Sequence, residues 1–446
     1  MRRMKTLLRT LGSLASILSL VALATPAHAD ETCLSPYTPK LIGQEDYVYV
    51  WTLGVEGMGD GSDKLVAVGA NPKKDNYGKV ISSASVGGRH EAHHADFSDD
   101  RRFFWASGLD DGVIYIFDVA SDPAKPKLTK TITTFEKDSG VAGPHTFYPL
   151  PGRMLISGLS NAKDRGGKTG LVEYNNDGDY IATYWMPEKA EYGYDARIQP
   201  RLNRMLTSSF TGWNNYMMDF GKMLADAEAM KHFGSTMVIW DAHARKPLQI
   251  LDVPGAPLEV RWALQPAHDY AFTTTALTSK IWLIERNTDG SFKATAVADV
   301  GDPKKIPLPV DISLSLDDKY LFVDSFMDGM VRVFDVSNPH KPKVVHEQKI
   351  GAQVNMVSQT WGGERAYFTS SLLANWDKKG KDNEQFLKAY SWDKKKFTPL
   401  FAVDFTKEQL GRPHLMRFGQ DSFYKNEISE RDVPGARSET VAALAR

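Results

Sequence analysis

Short apolar runs that alternate with polar positions, split by Asp-Gly pairs, recur along this chain. Asp100-Arg101-Arg102-Phe103-Phe104 leads through Asp111-Gly112 to Val113-Ile114-Tyr115-Ile116-Phe117-Asp118-Val119 and then to Lys125-Pro126-Lys127. The same order returns as Asp318-Lys319-Tyr320-Leu321-Phe322, Asp328-Gly329, Met330-Val331-Arg332-Val333-Phe334-Asp335-Val336 and Lys341-Pro342-Lys343. A period of two buries one face of a strand, and Asp-Gly supplies the turn of a tight hairpin, so each copy predicts strand, turn, strand and a proline-bearing connection. A weaker copy runs from Thr236 to Asp241 with Lys246-Pro247 behind it, and Glu364 to Thr369 predicts the first strand of another. Each copy is half of a four-stranded blade. Repeated blades predict an all-β fold, a β-propeller whose closure protects its strand edges and leaves a central channel. Seven blades of about 60 residues fill residues 30–420, the excess over a roughly 40 to 45 residue blade going into long loops. The helical pattern at Met217 to His232 predicts a short insertion on one face, its methionines packing in a core. No linker or composition break divides residues 30–420, so they read as a single domain. Residues 421–446 form a polar tail whose last fifteen or so positions are expected to be disordered.

Residues 1–29 read as a secretory signal, with Arg2, Arg3, Lys5 and Arg9 ahead of an apolar stretch from Leu11 to Ala24 and an Ala27-His28-Ala29 cleavage pattern. This predicts a periplasmic protein with no membrane span; ordinary secretion is the default, and Arg2-Arg3 leaves twin-arginine export open. Removing the leader takes four basic residues from 54 basic against 55 acidic, leaving 50 against 55. That balance gives no reason to expect nucleic acid or an anionic membrane as partner. Cys33 is the single cysteine, so no internal disulfide can form, and it is read as passive.

Three of the eleven histidines fall within five residues, in Gly87-Gly88-Arg89-His90-Glu91-Ala92-His93-His94. Imidazole is the commonest protein ligand for copper and zinc, so this stretch is a candidate metal site, with a polar turn as the alternative. Neighbours on a regular strand point to opposite faces. His93 and His94 reach one ion only where the backbone leaves the pleat. His232, His243, His268, His340 and His346 fall in turns, on connections or at a helix end and are not expected to be ligands. Gly57 to Asp63 resembles a calcium loop without its closing glutamate, and is read as a turn.

Longer stretches resemble a known family. Leu308 to Phe322 and Phe368 to Asp377 are similar to signature stretches of the selenium-binding protein family, which includes the methanethiol oxidases. His93-His94, His145-Thr146, Tyr194-Asp195 with Gln199-Pro200, Gly234-Ser235, Pro257-Leu258-Glu259-Val260-Arg261 and Pro413 to Phe418 match in the same order, from about residue 33 to 420. The resemblance implies a seven-bladed propeller with a copper-dependent activity that converts methanethiol, O2 and water to formaldehyde, hydrogen sulfide and hydrogen peroxide. It carries metal ligation onto His93, His94, His145 and His414, with His90 as a further candidate, and also matches Glu91. The early cysteine linked to selenium binding in the vertebrate members has no counterpart here. The family's usual ending is replaced by Asp421-Ser422-Phe423 and the tail.

Four imidazoles from distant segments make one site only if the fold gathers them, as the converging loops of a propeller can. An all-imidazole set suits copper, zinc or nickel, and oxidase chemistry selects copper. Glu91 is a candidate for fixing an imidazole tautomer or for serving as general base, with a solvated loop carboxylate as the alternative. Tyr194 and Asp195 are candidates for lining the channel, against a buried Tyr-Asp hydrogen bond that holds a blade. Competing functions are a non-catalytic carrier of copper or of a selenium or sulfur species, a quinone-type amine dehydrogenase subunit, and a scaffold with incidental histidines. Oligomeric state is not encoded in any motif.

Overall fold

The computed structural model describes residues 35–37, 43–377 and 384–421. The leader at 1–29, Cys33 and the tail beyond Asp421 lie outside the described residues. Among the described residues, twenty-eight strands form seven four-stranded antiparallel sheets, the seven-bladed β-propeller expected from the repeats. The hairpins marked by Asp-Gly are in place: Phe103–Gly108 pairs with Val113–Asp118 in blade 2, and Tyr320–Ser325 with Met330–Asp335 in blade 6.

Blade 1 closes the ring from both ends of the chain. Its innermost strand, Arg412–Gly419, pairs with Tyr47–Leu53, so the last strand completes the sheet that the first three begin. Each blade starts on the axis: Ala92–Phe97, Val141–Leu150, Ala196–Gln199, Pro257–Trp262, Pro309–Leu314 and Val357–Gln359 are the axial strands of blades 2 to 7. They are buried almost throughout, whereas outer strands such as Lys127–Ile132 and Lys343–Lys349 carry the charged, solvent-facing positions. Large apolar clusters fill the spaces between blades, as in the packing of Trp51, Phe97, Phe104 and Phe117 between blades 1 and 2.

The predicted helix at Met217 to His232 is broken into short pieces: Trp213–Met217, Phe220–Ala225 and a 3-10 turn at Ala229–His232. The breaks have local causes. Asp219 caps the second piece through Lys222 N–H, and Asp226 Oδ1 takes the N–H groups of Glu228 and Ala229, diverting the backbone before the third. The whole insertion connects Arg204–Ser208 to Thr236–Asp241 in blade 4. Met223 is buried as expected, while Met217 is exposed. No helix among the described residues is long and apolar enough to cross a membrane.

Candidate metal centre

The axial strands share one irregularity. Pairing with the second strand is interrupted near the start of the axial strand and becomes regular at Ala95, Phe147, Val260, Ile312 and Met416 in blades 2, 3, 5, 6 and 1. In blades 4 and 7 the ladder begins at Ala196 and Val357. Two residues before each of these points stand His93, His145, Tyr194, Leu258, Val310, Asn355 and His414. Taken around the ring, blades 7, 1, 2, 3 and 4 therefore present Asn355, His414, His93, His145 and Tyr194 at one register. A bulge turns successive side chains toward the same side, and it lets His94 join His93. Ser107 stabilises that bulge: its hydroxyl accepts from His94 N–H and donates to His94 O, both at 3.1 Å. Ser157 and Ser208 accept from Thr146 N–H and Asp195 N–H at the same position in the next two blades.

The fold thus gathers His93, His94, His145 and His414. Ring centroids of His93 lie 4.9, 4.8 and 4.1 Å from those of His94, His145 and His414, and His94 lies 4.1 Å from His145. Nitrogens of His93, His94 and His414 fall within 4.8 Å of one another. His145 joins them through Nε2, 3.1 Å from His93 Nε2. Two nitrogens bound at about 2.0 to 2.1 Å to one ion at square or tetrahedral angles would lie about 2.9 to 3.4 Å apart.

The tautomers follow from outer contacts. His145 Nδ1–H donates to Tyr194 O at 3.1 Å, and His414 Nδ1–H donates to Ser371 O at 2.6 Å. Asn355 Nδ2 donates to the same Ser371 carbonyl. Both rings then turn an Nε2 lone pair inward, the arrangement in which an outer hydrogen bond orients a ligand. His94 Nε2 and His414 Nε2 are buried without a hydrogen-bond partner. Buried nitrogens left unsatisfied are costly, and an ion shared among them would remove that cost. Burial pushes His145 and His414 down to about pKa 3, and burial with the neighbouring rings pushes His93 and His94 well below the usual range. At neutral pH all four are uncharged ligands in waiting.

His90 does not join them. Its Nδ1 pairs with Asp111 Oδ2 at 2.7 Å and its ring lies against Tyr115, at the rim and partly exposed. Glu91 is buried at φ 59°, with Oε1 accepting from Ala374 N–H at 2.9 Å. Burial, reinforced by Asp110, keeps its carboxyl protonated well above the usual range. It is not the solvated loop carboxylate that was its alternative. Tyr194 packs at a tilt against His145 with centroids 4.0 Å apart. The side chain of Asp195 is committed to structure: it takes Thr146 Oγ1, Ala196 N–H, Arg197 Nε and Val260 N–H. Those four contacts fix its orientation, so it suits positioning.

Glu259 was not singled out from sequence. Its Oε2 accepts from Arg197 at 3.2 Å and Arg261 at 2.9 Å, while Oε1 has no partner and lies 3.7 Å from His94 Nε2. Arg261 continues to Asp311 at 2.7 Å, giving a buried ionic layer directly beside the imidazoles. The other histidines have local roles: His232 with Tyr192, His268 with Asp318, His340 with Glu285 and His346 with Phe397 N–H.

The matched family is described as 56kDa selenium binding protein (SBP56), over residues 27–422. A methanethiol oxidase of Ruegeria pomeroyi is 59% identical over 433 residues, covering 94% of this chain and 99% of the relative. One from Hyphomicrobium is 58% identical, covering 87% and 90%. The crystal structure of a hypothetical selenium-binding protein from Sulfolobus tokodaii superposes with a TM-score of 0.74 at 24% identity, covering 87% of this chain and 97% of that one, a likeness of fold. A family match across nearly the whole propeller, with close relatives at more than half identity, places this chain in the 56 kDa selenium-binding protein family.

Proposed function

We propose that this chain oxidises methanethiol with O2 and water to formaldehyde, hydrogen sulfide and hydrogen peroxide, using copper held by His93, His94, His145 and His414. The observation that carries the reading is the set of four buried imidazoles, three with nitrogens within 4.8 Å of one another and the fourth, His145, 3.1 Å from His93, together with relatives at 58–59% identity named methanethiol oxidase. Copper bound there would acidify the thiol and exchange electrons between it and O2. Zinc has no redox chemistry and could do only the first.

The chain's own groups supply the rest. The Ser371 and Tyr194 carbonyls hold the His414 and His145 rings in the ligating tautomer. Glu91, protonated and tethered by Ala374 N–H, would give its proton to oxygen as O2 is reduced to hydrogen peroxide and would recover one from the methyl carbon. The phenol of Tyr194, kept neutral by burial, flanks the reacting volume against His145. Apolar side chains from several blades, among them Leu109, Leu258, Leu308 and Leu372, pack with Tyr194 at this end of the channel and limit water around a small thiol. With its leader pattern, the chain would do this in the periplasm.

Copper content measured with thiol-dependent oxygen uptake tests the proposal. Both are expected to fall in His94→Ala and to survive in His340→Ala. Copper without uptake would make the chain a carrier, and intact copper and activity in a His94→Ala/His145→Ala double variant would overturn the site.

A further inference from the structure

The blade 4 insertion does not end on its own blade. It reaches the loop Ser371–Asp377 of blade 7, three blades away and so as distant as two blades of a seven-membered ring can be. Trp376 Nε1 donates to Asn215 O at 3.3 Å, Asn375 Nδ2 to Met217 O at 3.4 Å, and Phe220 N–H to Asn375 O at 3.4 Å. The two connections form a strap across one mouth of the channel.

Beneath the strap lies a column of rings. Tyr194 touches His145 at 4.0 Å between centroids, Phe210 is 5.3 Å beyond Tyr194, and Phe210 meets Tyr216 and Trp376 at 5.9 Å each. Phe210, Tyr216 and Trp376 are each 3% exposed or less, so the column is closed to solvent. The blade 7 loop is also tied to the centre: Ser371 O takes His414 Nδ1–H, and Ala374 N–H binds Glu91. Asp377 fixes the loop's start through Leu372 N–H and Ser371 Oγ.

We infer that this strap is the selectivity filter of the site, with Phe210 and Trp376 as the residues that set substrate size. The inference rests on the thiol oxidase reading and deepens it. A wall of rings packed this closely would penalise a longer alkyl chain more than a one-carbon thiol, and an apolar wall offers no partner to a charged thiol such as cysteine. The filter therefore selects small uncharged thiols by volume and desolvation. A packed apolar wall discriminates by about 10 to 200-fold per methylene, which is the scale on which this one should act.

The experiment compares kcat/KM for methanethiol and 1-propanethiol in the copper-loaded wild-type protein, Trp376→Ala, Trp376→Phe and Phe210→Ala. The ratio of propanethiol to methanethiol is expected to rise at least about 10-fold in either alanine variant and much less in Trp376→Phe, with copper content unchanged. Equal ratios in all four proteins at equal copper content would overturn the filter. If Trp376→Ala fails to fold, Phe210→Ala decides alone, since it leaves the latch to Asn215 in place. Thiol binding, followed by the visible absorption of the copper-loaded protein, separates the two readings. A wild type that turns over neither thiol but binds methanethiol at least about 10-fold more tightly than propanethiol, with that preference lost in Phe210→Ala, would sink the activity and leave the filter.

Discussion

In metal-free protein, the imidazole layer should make stability collapse in mild acid, and His145 allows the effect of a single ring to be isolated. The unfolded ring titrates near the usual value of 6.5, whereas burial holds the folded ring at about 3. Below pH 6.5 the unfolded chain therefore binds a proton that the folded chain refuses. Stability falls as pH drops through 6.5 and stops falling only near 3. At about pH 4.5 the difference is two pH units, or about 2.7 kcal/mol for this ring, against about 0.2 kcal/mol at pH 7. His145→Asn removes the titration while keeping an N–H donor toward Tyr194 O in place of Nδ1. Buried carboxyls with raised pKa values that do not act on His145, Glu91 among them, favour the folded state in acid and oppose the trend in both proteins. They cancel in the comparison. Denaturant midpoints would be followed by tryptophan fluorescence with chelator present, at about pH 7 and about pH 4.5. The wild type should lose about 2 to 3 kcal/mol more than His145→Asn between the two. Equal losses, or a larger loss in the variant, would mean that this ring is already protonated or solvated when folded, and the neutral-ligand argument would fail with it.

Ser107→Ala removes the hydroxyl that bonds both backbone groups of His94, and should cost about 2 kcal/mol in unfolding free energy and weaken copper binding measured by competition with a chelator. Glu259→Gln removes one of the carboxylates that Arg197 and Arg261 share while leaving Asp195 and Asp311 in place, so a loss of about 1 to 3 kcal/mol is expected in the same denaturation experiment. Glu91→Gln mimics a carboxyl that is already protonated. It should change stability by less than about 1 kcal/mol while slowing oxygen uptake, and a large stability loss would show that the carboxyl is ionised when buried.

The blades were legible because their signal is local. Asp111-Gly112 and Asp328-Gly329 sit in hairpins whose strands carry their own alternation, so residues near in sequence determine the contact. The ring of axial imidazoles was only half legible. His93, His145 and His414 occupy one register, two residues before regular pairing begins, and that register is created by the neighbouring strand rather than by their own segments. Proximity in sequence pointed to His90, yet the backbone at Glu91 sends it to the rim beside Asp111. Glu259 and Asn355 share the axis with the histidines, but as single polar residues in apolar runs they give no pattern of their own. The insertion at Met217 to His232 kept its apolar spacing while Asp219 and Asp226 broke it into three turns, because capping side chains outcompete helix continuation over so short a span.

The closing strand of blade 1 also brings His414, so the polypeptide that seals the ring delivers the fourth imidazole of the proposed metal site. Neither event can precede the other by much. A chain still being made, or threaded unfolded through a secretion pore, would hold at most three of the four imidazoles and no finished axis. The metal would then have to be acquired at the destination, after the last strand has docked, and once seated it would act as a rivet between the two ends of the molecule.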